Sequence, residues 1–446
     1  MYSDQDVIIA LATPMKMRSP LAVIRVSGVG CLELINTRFQ SHSGKGVRSW
    51  RMCYGNWCDE NGVVDDVMVI GYFGERSYTG QDMVEIICHG NPVFIELIIN
   101  SLLNMGVRRA RPGEFTMRAV LNGKMDLLQA ESVNVLLEAN TRYQADLARQ
   151  QSKGPLVGFI KEQVEEILQI QAHIEATIDY GEEDIDSLAK DTLLSRIGVL
   201  LLGFKKLLKT AGFANSMRRG FRVLIVGEPN VGKSTLFNAL VRQERAIVTH
   251  LPGTTRDVIS EEIEMKGLPV VLMDSAGVRV TDDMVESLGI EKIYELIDNV
   301  DLVVYLYEEN HEKSLLDRLE DLEEYRWLKV RTKADVVDNN NVMNGSLSVS
   351  AVTGKGMVDL EQAIVVRLSA VMDGMNIYLI NQRQAEVVSG VVDCLDMAFQ
   401  EYEAGHGEEI LSSYLNTARR LLGELTGETT VEDILDRMFS NFCLGK

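Results

Sequence analysis

FRVLIVGEPNVGKSTLFNAL, residues 221–240, decides how the middle of this chain folds. An apolar run ends at Gly227, the loop GEPNVGKST (227–235) matches GxxxxGK[ST], and an apolar pattern at helical spacing opens at Leu236. Strand, glycine-rich loop and helix in that order aim backbone amides at a phosphate. Lys233 supplies a point charge to the β- and γ-phosphates, and the Ser234 hydroxyl is a magnesium ligand. Asn230, Val231, Gly232 and Thr235 complete the loop.

Downstream, the order of elements selects guanine over adenine. THLPGTTRD reads as a switch loop, in which Thr249, His250, Leu251, Pro252, Gly253 and Thr254 lead to Thr255, placed to reach magnesium and the γ-phosphate. The strand PVVLM ends in Asp274, Ser275, Ala276 and Gly277, a DxxG that sets a carboxylate near magnesium and an amide near the γ-phosphate. After the strand DLVVYLY come Thr332, Lys333, Ala334 and Asp335. Asp335 can accept from N1–H and the exocyclic amine of guanine, and Lys333 can lie over the base. Ser350 and Ala351 fit the loop whose amide meets guanine O6. Two positions depart from the usual pattern. Thr332 replaces an asparagine, which puts guanine affinity, not guanine choice, in question. Val278 stands where small Ras-like GTPases carry the glutamine that orients water, so catalytic polarity must come from elsewhere.

Working outward, 446 residues suggest about three domains at roughly 150 residues each. Residues 1–120 alternate short β-branched runs with turn signals and one helix at 92–105, an α+β domain. Residues 121–216 turn to helical spacing, 217–375 form the inserted Ras-like α/β P-loop domain, and 376–446 return to helical spacing. Each helical stretch is too thin to bury both faces alone, so together they predict one discontinuous α-helical domain. The acidic segment 179–186 lacks the glycine and glutamate positions of a calcium loop.

A formal charge of −20 excludes a protein that binds nucleic acid over its whole surface. An RNA partner needs a local basic patch, and three are readable either as such or as solvated faces: Arg108, Arg109 and Arg111; Lys205, Lys206 and Lys209; Arg218, Arg219 and Arg222. No apolar run approaches the ~18 residues of a membrane span. The opening MYSDQDVII lacks the basic and apolar regions of a signal peptide, and the six cysteines form no CxxC, so a cytoplasmic protein without zinc or disulfides is expected.

These residues resemble the TrmE–Era–Era-like GTPases, which share GxPNxGKS and GTTRD. Thr79-Gly80, ARPGEF (110–115), LNGKMDL (121–127) and the terminal FCLGK (442–446) are similar to the MnmE (TrmE) tRNA-modification family along essentially the whole chain. The resemblance implies a potassium ion held by Asn230, Thr249, Leu251 and Thr254, magnesium on Ser234 and Thr255, and Glu286 acting on the nucleophilic water. It implies an N-terminal domain that dimerises and binds a tetrahydrofolate one-carbon carrier (5,10-methylene or 5-formyl) through Arg25, Glu85, Lys124 and Lys446. Cys443 matches the family's C-terminal cysteine, a candidate nucleophile with only Lys446 close in sequence to lower its thiol pKa. A homodimer would join an FAD-dependent MnmG (GidA) subunit in a heterotetramer that modifies carbon 5 of uridine 34 in certain tRNAs. No GxGxxG follows the early strands, so the flavin belongs to the partner. The rival is a regulatory Era- or Der-like GTPase of ribosome assembly; against it, the chain has one P-loop and no KH-like GxxG helix pair.

Overall fold

The computed structural model describes residues 6–14, 18–180, 190–243, 245–246, 259–275, 293–308, 319–323, 326–336, 345–369, 378, 380–428, 435, 438–440, 442 and 445. Chain contacts divide it into two compact units, Met1–Asn134 with Leu422–Lys446, and Val135–Leu421.

In the first unit the strands β1 (Ile8–Leu11), β2 (Ser19–Ser27), β3 (Phe39–Ser41), β4 (Met52–Asp59), β5 (Gly62–Tyr72), β6 (Met83–Gly90) and β7 (Arg108–Arg109) form one sheet in the order β3-β4-β5-β6-β2-β1-β7. Every pairing is antiparallel except β1 with β7. Period-two alternation sends Ile24, Val26, Val67, Val69, Val84 and Ile86 to one face, where they are buried with Ile35 of α1 (Cys31–Arg38) and Ile98 and Leu102 of α2 (Pro92–Leu103). α2 starts where the sequence places it, because the Asn91 side chain accepts from the Val93 amide and Pro92 needs no partner at the first position. β4, MCYGNWCD, has none of the β-branched residues that mark the neighbouring strands. Gly55 is there because a Cβ would lie 2.1 Å from the Gln40 carbonyl oxygen across the β3–β4 pair.

Behind β1, α3 (Glu114–Leu121) and α4 (Leu127–Glu138) pack Met117, Leu127 and Ala130 on Leu435, Phe439 and Phe442. Gly113, at φ 67°, allows this approach: a Cβ would lie 2.8 Å from the Phe439 carbonyl oxygen. The glutamate of ARPGEF is structural. Glu114, 1% exposed, accepts from its own helix start at the Arg111 amide (2.8 Å), from Arg108 (2.6 Å) and from buried Arg118 (3.2 Å). Asp6 bonds both arginines.

In the second unit, α5 (Arg142–Gln151), α6 (Pro155–Tyr180) and α7 (Lys190–Arg219) precede the strands β8 (Phe221–Gly227), β9 (Arg245–Ala246), β10 (Ile259–Met265), β11 (Leu268–Asp274), β12 (Leu302–Tyr307), β13 (Trp327–Arg331) and β14 (Leu347–Ser348). α8 (Lys233–Gln243) and α9 (Met357–Ser369) accompany the sheet; α10 (Gln382–Glu403) and α11 (Glu408–Thr426) follow it. Sheet order is β14-β13-β12-β8-β11-β10-β9, with β8, β11, β12, β13 and β14 parallel. β8 is buried on both faces, Val223 and Ile225 in one core and Leu224 and Val226 in the other, as a central parallel strand must be. α7 runs into β8 through Gly220 alone (φ 83°), and its Phe213 and Met217 belong to the sheet's core. Asp301, just ahead of β12, fastens this junction by accepting from Ser216 Oγ (2.6 Å), Arg219 (3.1 Å) and the Arg222 amide (2.8 Å). α10 returns to α7 through Lys205–Asp396 (3.0 Å).

Burial alone would raise the Glu114 carboxyl, but the Arg108 hydrogen bond, the Arg111 amide and the charges of Arg108 and Arg118 outweigh it and hold the group below its ordinary 4.5. A depressed folded value means that Glu114 contributes its stability above about pH 4.5 and loses it as pH falls through the folded value. Thermal melts should therefore show acid-labile stability that Glu114→Gln flattens. Glu114→Ala should cost about 1–3 kcal/mol, because it removes an acceptor shared by Arg108, Arg118 and the Arg111 amide while Asp6 still pairs both arginines. An unchanged acid profile in Glu114→Gln would contradict this.

Candidate functional site

Three strand ends converge at the C-terminal edge of the parallel sheet. β8 ends at Gly227, whose φ of 151° brings the backbone so close to β12 that a Cβ would lie 2.4 Å from the Leu306 carbonyl oxygen. The loop passes Asn230 in the left-handed region (φ 63°), which asparagine tolerates better than most residues, and Gly232 (φ 103°). Lys233 Nζ donates to the carbonyls of Gly227 and Glu228, both at 2.8 Å, so its ammonium lies over the loop's backbone. Thr235 is exposed in the first turn of α8.

Asp274 ends β11, 1% exposed and in register with Ile225 of β8, and buried Ser275 follows. Ser234 Oγ donates to Asp274 Oδ2 at 2.8 Å. A hydroxyl and a carboxylate that are 40 residues apart in sequence thus meet, as hard oxygen donors of the kind magnesium takes.

The residues that the sequence suggests for reading the base come together at the ends of β13 and β14. Thr332 is buried, and its hydroxyl donates to the Val231 carbonyl of the phosphate loop at 2.7 Å. The residue that replaces asparagine therefore ties the base-reading segment to the phosphate loop. Lys333 adopts φ 57°, and its ammonium donates to Glu308 Oε2 at 2.7 Å, a partner the sequence did not suggest. Ala334 donates to the Val349 carbonyl at 3.1 Å, bringing the segment against Ser350 and Ala351. The Ser350 hydroxyl bonds the Asp335 carboxylate and, with the Asp335 backbone amide and the Lys355 charge, holds it below the usual carboxylate range. Thr249, His250, Leu251, Pro252, Gly253, Thr254, Thr255, Ala276, Gly277, Val278 and Glu286 lie outside the described residues.

In the first unit, Arg25 of β2 and Glu85 of β6 stand directly opposite in register and form a bidentate pair onto one carboxylate oxygen, at 3.1 and 2.7 Å. The third arm of the guanidinium donates to the Gly445 carbonyl at 3.1 Å, which brings the FCLGK segment to this point. Tyr72 donates to the other Glu85 oxygen at 3.2 Å, and the guanidinium lies 5.6 Å from the ring centre of Tyr78 and 5.7 Å from that of Phe115. Burial first, then the Glu85 charge, pushes the Tyr72 phenol up. Sequence reasoning missed the three aromatic residues. Strand alternation puts Tyr72 on the face of Glu85, but only the pairing register makes that visible. Lys124 donates instead to the Glu75 carbonyl at 2.5 Å. Cys443 and Lys446 lie outside the described residues, as does the acidic segment at 181–186. Burial pushes the Cys31 and Cys88 thiols up to about 12, too high for nucleophiles.

Comparison with known proteins is decisive for the family. The model of the TrmE N-terminus, described as that of a GTP-binding protein, matches residues 7–124, and that of the MnmE helical domain matches residues 127–443. The tRNA modification GTPase MnmE of Aquifex aeolicus is 37% identical over 99% of this chain and 100% of its own length. Those of Thermotoga petrophila and Clostridioides difficile are 39% and 34% identical over 99% of this chain, and over 100% and 99% of theirs. The chain belongs to the MnmE (TrmE) family. The MnmE helical match begins before and ends after the nucleotide-binding strands, so the P-loop domain sits inside it.

Thr332→Val deletes the only side-chain hydroxyl on the Val231 carbonyl given among the described residues. An unpaired buried carbonyl costs about 1–3 kcal/mol, so GDP affinity should fall about tenfold while guanine preference over adenine is kept. Thr332→Ser should restore it. Fluorescent-nucleotide titration checks this, and unaltered affinity in the valine variant would refute the tether.

Proposed function

We propose that this chain hydrolyses GTP and uses that cycle in the modification of carbon 5 of the wobble uridine of certain tRNAs. One observation carries the reading: Ser234 on Asp274 and Thr332 on Val231 unite phosphate, magnesium and base-reading elements in one site, in a chain that matches proteins named tRNA modification GTPase along their whole length.

In this reading Lys233 neutralises β- and γ-phosphate charge, Asp335 and Lys333 hold guanine, and Ser234 with Thr255 binds magnesium, which when present supplies positive charge at the phosphates. Asn230 with Thr249, Leu251 and Thr254 holds a potassium ion, and Glu286 orients water in place of the missing glutamine. The left-handed turn at Asn230 supports this, since it presents an amide side chain from the phosphate loop itself. Arg25 and Glu85, supported by Tyr72, bind the polar part of a tetrahydrofolate derivative, Lys124 and Lys446 are further ligand contacts, and Cys443 is a candidate nucleophile. Tyr78 and Phe115 give the Arg25 guanidinium an aromatic setting.

The homodimer is supported by the outer face of the N-terminal sheet, where Leu21, Met52 and Tyr54 are more than half exposed (51, 55 and 54%) alongside half-buried Met68, Ile70 and Ile87. An MnmG-type FAD subunit would supply the redox step. A cytoplasmic location follows from tRNA as substrate; among the described residues no helix is long and apolar enough to cross a membrane.

The decisive experiment is mass spectrometry of wobble nucleosides from cells with and without this chain; unchanged nucleosides would remove the modification assignment. Separately, GTP hydrolysis should be faster in potassium, rubidium or ammonium than in sodium, and Asn230→Ala should abolish that difference. Glu286→Ala should cut turnover and leave GDP affinity intact; equal rates in sodium and potassium would sink the cation cage. Calorimetry with 5-formyltetrahydrofolate should give binding that Arg25→Ala abolishes.

A further inference from the structure

A cleft of about 450 Å³ lies where the end of α7 meets the sheet, lined by Lys209 and Arg219 of α7, Arg326 ahead of β13 and Arg367 in the last turn of α9. Phe221 and Asp301, also on its wall, stand at the starts of β8 and β12. The nucleotide loop leaves the opposite ends of those strands, so the two sites are separate. Asp298 and Asp301 share the cleft with the four cations. Both Asp301 oxygens are engaged, by Ser216 and Arg219 on one side and by Arg219 and the Arg222 amide on the other. One Arg326 nitrogen donates to the carbonyls of Ile297 and Val300, which anchors the guanidinium in the wall.

Four cations against two carboxylates give a local positive excess on a chain of net charge −20. A polyanion repelled by the rest of the surface must meet such an excess. Arg108 is held by Asp6 and Glu114, Arg109 by Glu96 and Lys205 by Asp396, as Arg219 is by Asp301 in the cleft, where Lys209, Arg326 and Arg367 still outnumber Asp298. Here cations from three separate elements face a common concavity.

We propose that this cleft binds phosphate groups and holds the backbone of the RNA substrate; the proposal rests on the tRNA reading above. Guanidinium groups match phosphate oxygens in pairs, Lys209 adds a mobile point charge, and the contact selects no base sequence. Seated on the α7–β8 junction, bound RNA would press on the strand that ends in the phosphate loop.

The test is anisotropy titration of a labelled tRNA with the full chain across about 50–300 mM chloride. Lys209→Glu with Arg367→Glu should weaken binding at least tenfold and flatten the salt slope by about one to two. GDP affinity and RNA-free GTP hydrolysis should be unchanged, which reports an intact fold. Lys205→Glu with Lys206→Glu, on the same helix, should change affinity less than threefold. Inorganic phosphate at matched ionic strength separates the two sources of phosphate: weak competition is expected of a backbone site. Phosphate binding that the double variant loses, with tRNA affinity kept, would overturn the RNA assignment. Unchanged tRNA affinity and slope in the double variant overturn the cleft and leave the modification reading standing, since wobble-nucleoside analysis judges that separately. A wild-type chain with no affinity for tRNA at low salt overturns the cleft as well.

Discussion

Burial of β8 on both faces is the constraint on which the second unit depends. With Val223 and Ile225 in one core and Leu224 and Val226 in the other, the strand can neither slide nor rotate between β11 and β12 without exposing apolar surface or losing ladder hydrogen bonds on both sides. Its two ends then have fixed places. At one end Gly227 must turn beneath the Leu306 carbonyl. At the other, Gly220 packs on Val271 and admits α7, with Asp301 closing the corner. The nucleotide residues are side chains or amides hung on those positions. Ser234 meets Asp274 because α8 starts where the loop ends and β11 is in register with β8.

The same economy governs the N-terminal unit, where a charged pair stands on an apolar sheet. Arg25 and Glu85 are opposite each other in register, so neither enters the sheet face without its counter-charge. Tyr72 and the Gly445 carbonyl take up remaining hydrogen-bonding capacity. A pair this well satisfied is held in one geometry by four segments of the chain.

Much of this was legible in the residues. The P-loop strand and helix, the order of DxxG and TKAD, and the start of α2 at Pro92 all followed from local pattern, because each is decided within a few residues by glycine geometry, capping or apolar period. What escaped reading depends on pairing across long sequence distances. The strand at 52–59 was hidden because it lacks β-branched residues and its Gly55 serves a close approach to Gln40, not a turn. Tyr72, Tyr78 and Phe115 surround Arg25 only after four separate segments have met. Glu114 illustrates the reverse: its motif was recognisable, while its role as the acceptor for Arg108 and Arg118 was not, since Arg108 lies outside the motif that names it. The basic triplets could be ranked only once their acidic partners were in place, and Asp6 and Asp396 are far from them in sequence.

The junction at Gly220 has a mechanical consequence. α7 is 30 residues long, a rod of about 45 Å at the usual rise of ~1.5 Å per residue. It joins β8 with a single residue of slack, and Phe213 and Met217 clamp its end into the sheet's core. β8 itself is held by ladders on both sides, so a change of angle between the two elements falls on Gly220, where about 5° would swing the far end of that rod by about 4 Å. The chain therefore has a built-in gear ratio. A change of angle at Gly220 too small to notice locally becomes a displacement of side-chain size at the other end of the helix.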